Sequence, residues 1–409
     1  MAAREESNVQ SSFFTNFSSG LAAQETQLAT FQQQISTGLA VQTPDQNPAA
    51  FQTAALANDQ ISALSANITT QATIQTQLGS VNNVYQSVST LFDNVQSVLE
   101  QVLNGTTNSQ NLQSLATQMQ AAQQQLLGLG NTTGANGTYL FGGSRGSIPP
   151  FQAGASNNIV YVGDAGQSQA PVSPDTAAAT MANGEAFTSA LSGNGFASVA
   201  ASSGNTGTGV LLAQGVTNPS AAALFQAGTA PMTLNITSST TGLTYTASQS
   251  GSTIATGTVT NGGTLQLSGL SFQLIGAPAA GDNFTISPSR PQSSFILLQN
   301  INTEMTNIAS TPAQAAQTRT ALNDNLASLA QYQQSIITAQ AQNGVMLQAV
   351  NNAAVSDGNQ QTALQSTVQS AIGANTATAI TQLNQTSTAI QAAMKAFASV
   401  QSLDLFKYI

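Results

Sequence analysis

Gly128-Leu129-Gly130-Asn131-Thr132-Thr133-Gly134 is the segment nearest to a phosphate loop, because closely spaced glycines let backbone N–H groups converge on an anion. It misses G-x-G-x-x-G by one residue and follows a helical pattern instead of a strand. No Gly-Lys-Ser/Thr loop occurs anywhere, so nucleotide binding is not expected. The fifteen carboxylates are scattered, and the only adjacent pair, Glu5-Glu6, lies in a tail expected to fray. A glycosidase-type carboxylate pair would have to assemble in three dimensions, and nothing in the spacing points to one. The chain has no His and no Cys, so imidazole and thiol catalysis, disulfides and the usual zinc, haem and iron–sulfur ligands are absent. No cofactor or metal is expected. Asn-x-Ser/Thr triplets such as Asn136-Gly137-Thr138 and Asn283-Phe284-Thr285 are numerous, as chance dictates where Asn, Ser and Thr are this common.

With catalysis unsupported, composition becomes the guide. Only 5% of the 409 residues are charged, against about 25% in an average soluble domain. Six cations and a net charge of −9 cannot neutralise a phosphate backbone, which excludes nucleic acid. The apolar content of 41% is near normal and strongly patterned, unlike a disordered chain. No window approaches the ~18 apolar residues of a membrane span. The N-terminal residues lack the apolar stretch of a signal peptide, so the expectation is a cytoplasmic protein or one exported without a cleaved signal.

Both ends read as helix. Phe14, Phe17, Leu21, Leu28, Phe31 and Ile35 are spaced 3, 4, 7, 3 and 4 apart, a heptad stripe with Gln24 in one seam position. Gly38 should end that helix, Pro44 and Pro48 bracket a turn, and a second helix starts near Ala49. Ile74, Leu78, Val81, Tyr85, Val88, Phe92, Val95, Leu99 and Val102 alternate 4 and 3 without a break, up to a stop at Asn104-Gly105. A third helix carries Leu112, Leu115, Met119, Ala122, Leu126 and Leu129. Near the C-terminus, Leu322, Leu326, Leu329, Tyr332 and Ile336 have core spacing. Leu383, Ile390 and Phe397 then recur every seven residues, with Thr386, Ala393 and Val400 on the companion seam. An isolated stripe of this length cannot offset its ordering entropy, so each needs a facing stripe from the other terminus or another subunit.

In the middle the period falls to two. Met232-Leu234-Ile236, Leu243-Tyr245-Ala247, Leu265-Leu267, Leu270-Phe272-Leu274 and Phe284-Ile286 alternate with polar residues, and Asn261-Gly262-Gly263 reads as a hairpin turn. The expected fold class is therefore α+β: a long antiparallel, coiled-coil-like helical bundle made from both termini, with an inserted antiparallel β-rich region. The expected divisions are residues 1–144 and 291–409 as the two helical halves of a rod, 145–205 as a small β-containing outer unit and 206–290 as a β-rich outer domain. The seam residues Phe14, Phe17, Leu21, Leu28, Phe31, Ile35, Leu78, Val81, Tyr85, Val88, Phe92, Val95, Leu99, Val102, Leu383, Ile390, Phe397 and Val400 are the candidate assembly interface. On that reading, Asp at both Val88 and Phe92 should block incorporation without abolishing export.

Gln34-Ile35-Ser36-Thr37-Gly38, Val41, Pro44 and Pro48-Ala49-Ala50 resemble the N-terminal signature of flagellins and flagellar hook-associated proteins. The spacing agrees, although Leu39-Ala40 stands where the family has basic residues and Gln46-Asn47 where it has Asp-Asp. Three further blocks are similar to the hook-associated branch. They are Asn136 to Gly143 with Pro149-Pro150-Phe151, Gly281 to Ser289 with Gln292-Ser293-Ser294-Phe295, and the chain end Ser402-Leu403-Asp404-Leu405-Phe406-Lys407-Tyr408-Ile409. The resemblance implies a non-enzymatic, extracellular structural protein at the flagellar hook–filament junction, exported unfolded through the type III channel. Its implied partners are the first hook-associated protein, flagellin, further copies of itself in a ring or helical layer, and an export chaperone. Flagellin itself and a surface adhesin are the alternatives, with a carbohydrate-active enzyme a distant third.

Overall fold

In the computed structural model the backbone is described for residues 2–104, 109–154, 158–166, 168–173, 176–307 and 310–405. The chain forms two compact units, residues 1–69 with 354–409 and residues 70–353. Gly105 and residues 406–409, named in the sequence reading, lie outside the described residues.

The first unit contains helix α1 (Ala2–Thr37), the start of α2 (Pro48–Leu103), and, from further along the chain, the last turns of a helix over Pro312–Ile372 and a helix over Thr376–Leu405. Gly38 takes the left-handed conformation (φ +70°) that closes α1, its N–H bonding the Gln34 carbonyl at 2.9 Å. Asn47 caps α2 by accepting from the Ala50 N–H at 3.1 Å, with Pro48 in the first turn, where its missing N–H costs nothing. The two interhelical turns lie side by side: Ala40 donates to the Ile372 carbonyl at 2.7 Å, and Ala374 to that of Gly38 at 2.9 Å.

The second unit takes the rest of α2, α3 (Ser109–Gly130), the strands β1 (Phe151–Ala153), β2 (Ile159–Tyr161), β3 (Gln169–Ser173) and β4 (Thr176–Ala179), α4 (Glu185–Thr188) and β5 (Ala190–Leu191). Next come β6 (Ala197–Ala201), β7 (Val210–Val216), α5 (Pro219–Ala227), β8 (Met232–Ser239), β9 (Gly242–Gln249), β10 (Ser252–Thr258), β11 (Gly263–Leu267), β12 (Leu270–Ile275), β13 (Asn283–Pro288) and β14 (Pro291–Gln292). Finally α6 (Ser294–Thr306) and most of α7 (Pro312–Ile372) close the unit, and α8 (Thr376–Leu405) returns to the first. A capping box starts α7: Thr311 Oγ1 accepts from the Gln314 N–H, and Gln314 Oε1 from the Thr311 N–H, both at 3.2 Å.

The helical core of this unit joins α2, α3, α6 and α7. Ile74, Leu78, Val81, Tyr85, Val88, Phe92, Val95 and Leu99 are buried, and Val102 packs at the edge. Val84 and Leu91, off the two seam lines, are buried too, because α2 is covered on more than one side. At its centre Phe187 lies 5.1 Å from Phe141, 5.4 Å from Phe151 and 6.4 Å from Tyr85 between ring centroids.

Residues 197–288 form a β-sandwich. A five-stranded antiparallel sheet ordered β10-β9-β8-β13-β6 faces a three-stranded sheet ordered β11-β12-β7, with Leu234, Ile236, Phe272, Phe284 and Ile286 buried between. β6 falls within 145–205 in sequence yet pairs with β13. Two-residue hairpins join β8 to β9 at Thr240-Thr241, β9 to β10 at Ser250-Gly251 and β11 to β12 at Ser268-Gly269; the last two have φ of 49° and 79°, and 48° and 79°, the signature of type I′ turns. Asn261-Gly262-Gly263 is not a hairpin turn: it carries the chain from β10 in one sheet to β11 in the other. No Asp, Glu, Lys or Arg occurs in residues 186–281. The one ionisable carboxylate of the sandwich, Asp282, is buried and accepts from the N–H groups of Ala279, Thr206 and Gly207.

Candidate assembly surface

The residues with chemical potential do not converge. Among the described residues no three His, Cys, Asp or Glu side chains gather, and no helix is long and apolar enough to cross a membrane. Gly128 and Gly130 of the phosphate-loop-like segment lie within α3, and Gly134 donates to the Thr138 carbonyl at 2.8 Å, closing a turn. Asp164 accepts from the Ser144 hydroxyl and, at 2.7 Å, from the Ser144 N–H, which together hold its carboxyl below the ordinary range. Burial pushes the phenols of Tyr85 and Tyr332 and the carboxyl of Glu304 upward.

The block Tyr139-Leu140-Phe141-Gly142-Gly143 has a packing role. Leu140 and Phe141 are fully buried, and a Cβ on Gly142 would lie 2.7 Å from the Arg145 carbonyl oxygen. At Gly143, which sits at φ +68°, a Cβ would lie 2.3 Å from the Asp164 carbonyl oxygen. Gly143→Ala is expected to cost about 1–3 kcal/mol, and Gly137→Ala less, because Gly137 shares the positive φ but faces open space. Denaturant midpoints of the two variants check the difference.

What remains is the α1–α8 pair in the first unit. The helices run antiparallel, with Phe397 stacked on Phe17 (centroids 4.3 Å, planes 12° apart) and edge-on to Phe14 (5.0 Å, 77°). Phe17, Leu21, Leu28, Phe31, Ile35, Leu383 and Phe397 are only half-buried, and Ile390 alone of the seam residues here is buried. Phe14 and Val400 are 49% and 46% exposed, and Phe13, Leu56, Ile380 and Met394 also face outward. Phe31 and Thr386 line a groove of about 390 Å³ between the helices, walled by Gln27, Thr30, Gln382 and Gln385. Gln24, in its seam position, has a buried Oε1 with no hydrogen-bond partner in the chain.

The predicted interface residues thus fall into two sets. Those of the second unit are consumed by the chain's own cores, Val81 to Leu99 in the main helical one with Val102 at its margin, and Leu78 in a smaller cluster with Val172, Ala178 and Val350. Those of α1 and α8 retain apolar surface. Val88 and Phe92 are 0% and 1% exposed, so Asp at both would break the core and lose incorporation whatever they face in an assembly. Phe13, Met394 and Ile380 were missed because they lie off the heptad lines.

Residues 12–145 match the family model of the bacterial flagellin N-terminal helical region. The chain is similar to flagellar hook-associated protein 3 of Escherichia coli K12, at 33% identity over 147 residues, 36% of this chain and 45% of that protein. The match thus spans less than half the length of that relative. The crystal structure of Xanthomonas campestris FlgL aligns with a TM-score of 0.67 at 26% identity, covering 76% of this chain and 97% of that one. The flagellar junction protein FlgL from Legionella pneumophila aligns with a TM-score of 0.70 at 22% identity, covering 78% and 100%, a likeness of fold.

Proposed function

We propose that this protein is a structural component of the bacterial flagellum that joins hook to filament, and that it assembles through α1 and α8. The observation that carries the reading is the half-buried apolar seam of that helix pair, which an isolated chain leaves in water. Two helices bury one stripe each; the second stripe needs a neighbour. Its partners on this reading are the first hook-associated protein on one side and flagellin on the other, with copies of itself alongside. Head-to-tail packing of such surfaces generates a helical layer or ring. An export chaperone would hold the apolar termini before assembly, and the protein would act outside the cell without a cleaved signal. Packing of side chains, with no reaction, is the proposed work. The seam residues of α1 and α8 are the proposed contact residues, and residues 145–205 and 206–290 the proposed outward segments.

Electron microscopy of cells lacking this protein tests the proposal: hooks without filaments, with flagellin shed into the medium, are expected, and normal filaments would overturn it. Because the matched N-terminal region is of flagellin type, flagellin is the second reading. Copy number separates them, about one ring against thousands of subunits. Between Phe13 and Val400, the stretch of α1 and α8 that carries the seam, the only charged residues of the two helices are Glu25 and Lys395; Arg4, Glu5, Glu6 and Asp404 lie at their far ends. Assembly strength should therefore change by less than about fivefold between low and high salt, the worth of one exposed ion pair. A docking assay across ionic strengths checks this.

A further inference from the structure

The β-sandwich is held on α7 by polar groups, and one of them is a carboxylate with no cation. Asp324 is part-buried on α7, where Oδ2 accepts from the Ser198 hydroxyl at 2.6 Å and Oδ1 from the Val199 N–H at 2.7 Å. Both donors belong to β6, the edge strand of the five-stranded sheet. An unpaired strand edge is a template for unwanted pairing. Here the N–H of Ala197 goes to Asn194 Oδ1 at 2.9 Å and that of Val199 goes to Asp324, so side chains close the edge. The same helix adds Ser328, whose Oγ accepts from the Gly193 N–H at 2.7 Å, and Gln317, which donates to the Asn205 carbonyl at 3.1 Å.

No other titratable side chain comes from β6 or from residues 193–196 and 202–205 beside it. On α7 itself the nearest charge, Arg319, donates to the Leu103 carbonyl at 3.4 Å. Arg290 is spent on the carbonyls of Gln226, Gly228 and Ser289. Two neutral donors and no cation therefore face a carboxylate that docking takes largely out of water.

We propose that Asp324 is a proton-linked latch: its carboxylate seats β6, and with it the sandwich, on α7, and the seat tightens as the medium is acidified. The sign follows from linkage. Undocking returns the carboxylate to water, where it ionises near 3.9, whereas desolvation in the seat pushes it up to about 6 against the hydrogen bonds from Ser198 and Val199. The docked state therefore binds the proton more strongly. Its extra stability is complete below about pH 4 and is lost as pH rises through 6.

Hydrogen exchange of the Val199 amide in the full chain reads the seat directly. After correction for intrinsic exchange, protection is expected to rise roughly twentyfold from pH 7 to pH 4.5. Asp324→Asn keeps an acceptor for Val199 but cannot titrate, so its corrected protection should be flat; Asp324→Ala should leave Val199 poorly protected at both pH values. If the alanine variant fails to fold, the comparison of wild type with Asp324→Asn stands alone. Because Asp324→Asn retains Glu304, subtracting its profile removes that carboxyl's contribution. A wild-type profile as flat as that of Asp324→Asn, or protection that falls on acidification, would overturn the latch.

Discussion

On the proposed junction role, replacing Phe397 by aspartate is expected to abolish incorporation at the hook–filament junction while leaving export and the core of residues 70–353 intact. Phe397 stacks on Phe17 and meets the edge of Phe14, so it ties α8 to α1 at the aromatic end of their seam. Losing that half-buried ring gives up about 1–1.5 kcal/mol of burial and a further ~1 kcal/mol of ring–ring contact. Aspartate also puts a charge into the seam, which has little charge of its own to compensate. Together these amount to a loss on the order of a hundredfold or more in the pairing equilibrium. Phe397→Leu keeps apolar volume and should retain most incorporation. Immunoblots of purified hook–filament preparations against culture medium would separate incorporation from export. Wild-type incorporation of the aspartate variant would mean that the α1–α8 seam is not the assembling surface.

The second large effect lies in the other unit. Phe187→Ala should lower its stability by about 3–5 kcal/mol, the range for emptying a fully enclosed aromatic site. Phe187 touches Phe141 and Phe151 and approaches Tyr85, so α2, α4, β1 and the turn at Phe141 lose a shared contact at once. The rings around it are themselves wedged by α6 and α7, which limits collapse into the void. A urea titration followed by tyrosine fluorescence would measure the change. A shift below about 1 kcal/mol would mean that the site repacks freely.

The helices were legible because their pattern is local. The 3-and-4 alternation from Ile74 to Val102 gave α2 its buried face, while Gly38 marked the end of α1 and Pro48 the start of α2. Five strands of the sandwich, β8, β9, β11, β12 and β13, were legible for the same reason, since alternation survives wherever one face is wet, whereas β6, β7 and β10 carried no such marked run. Their order was not. Asn261-Gly262-Gly263 has the composition of a hairpin, but which strands a turn connects depends on which sheet each strand joins. Two of the true hairpins, Ser250-Gly251 and Ser268-Gly269, look like ordinary loop sequence until both residues are seen at positive φ.

The candidate surface was legible in part. Spacing marks every seam residue alike and cannot tell Phe92, enclosed by the chain's own helices, from Phe14, left half in water. That distinction depends on how many elements cover each stretch of helix. Asp324 and Ser198 lie far apart in sequence, and nothing in the local pattern of either announces the other. Contacts of this kind are tertiary facts.

The absence of ionic groups from residues 186–281 bears on crowding. Proteins normally keep their distance in dense arrays through mutual repulsion, and salt shortens that distance. The outer face of this sandwich has almost nothing to repel with, so neighbouring sandwiches can approach until their hydration layers of serine and threonine hydroxyls touch. That closest spacing would be the same in fresh water and in brine.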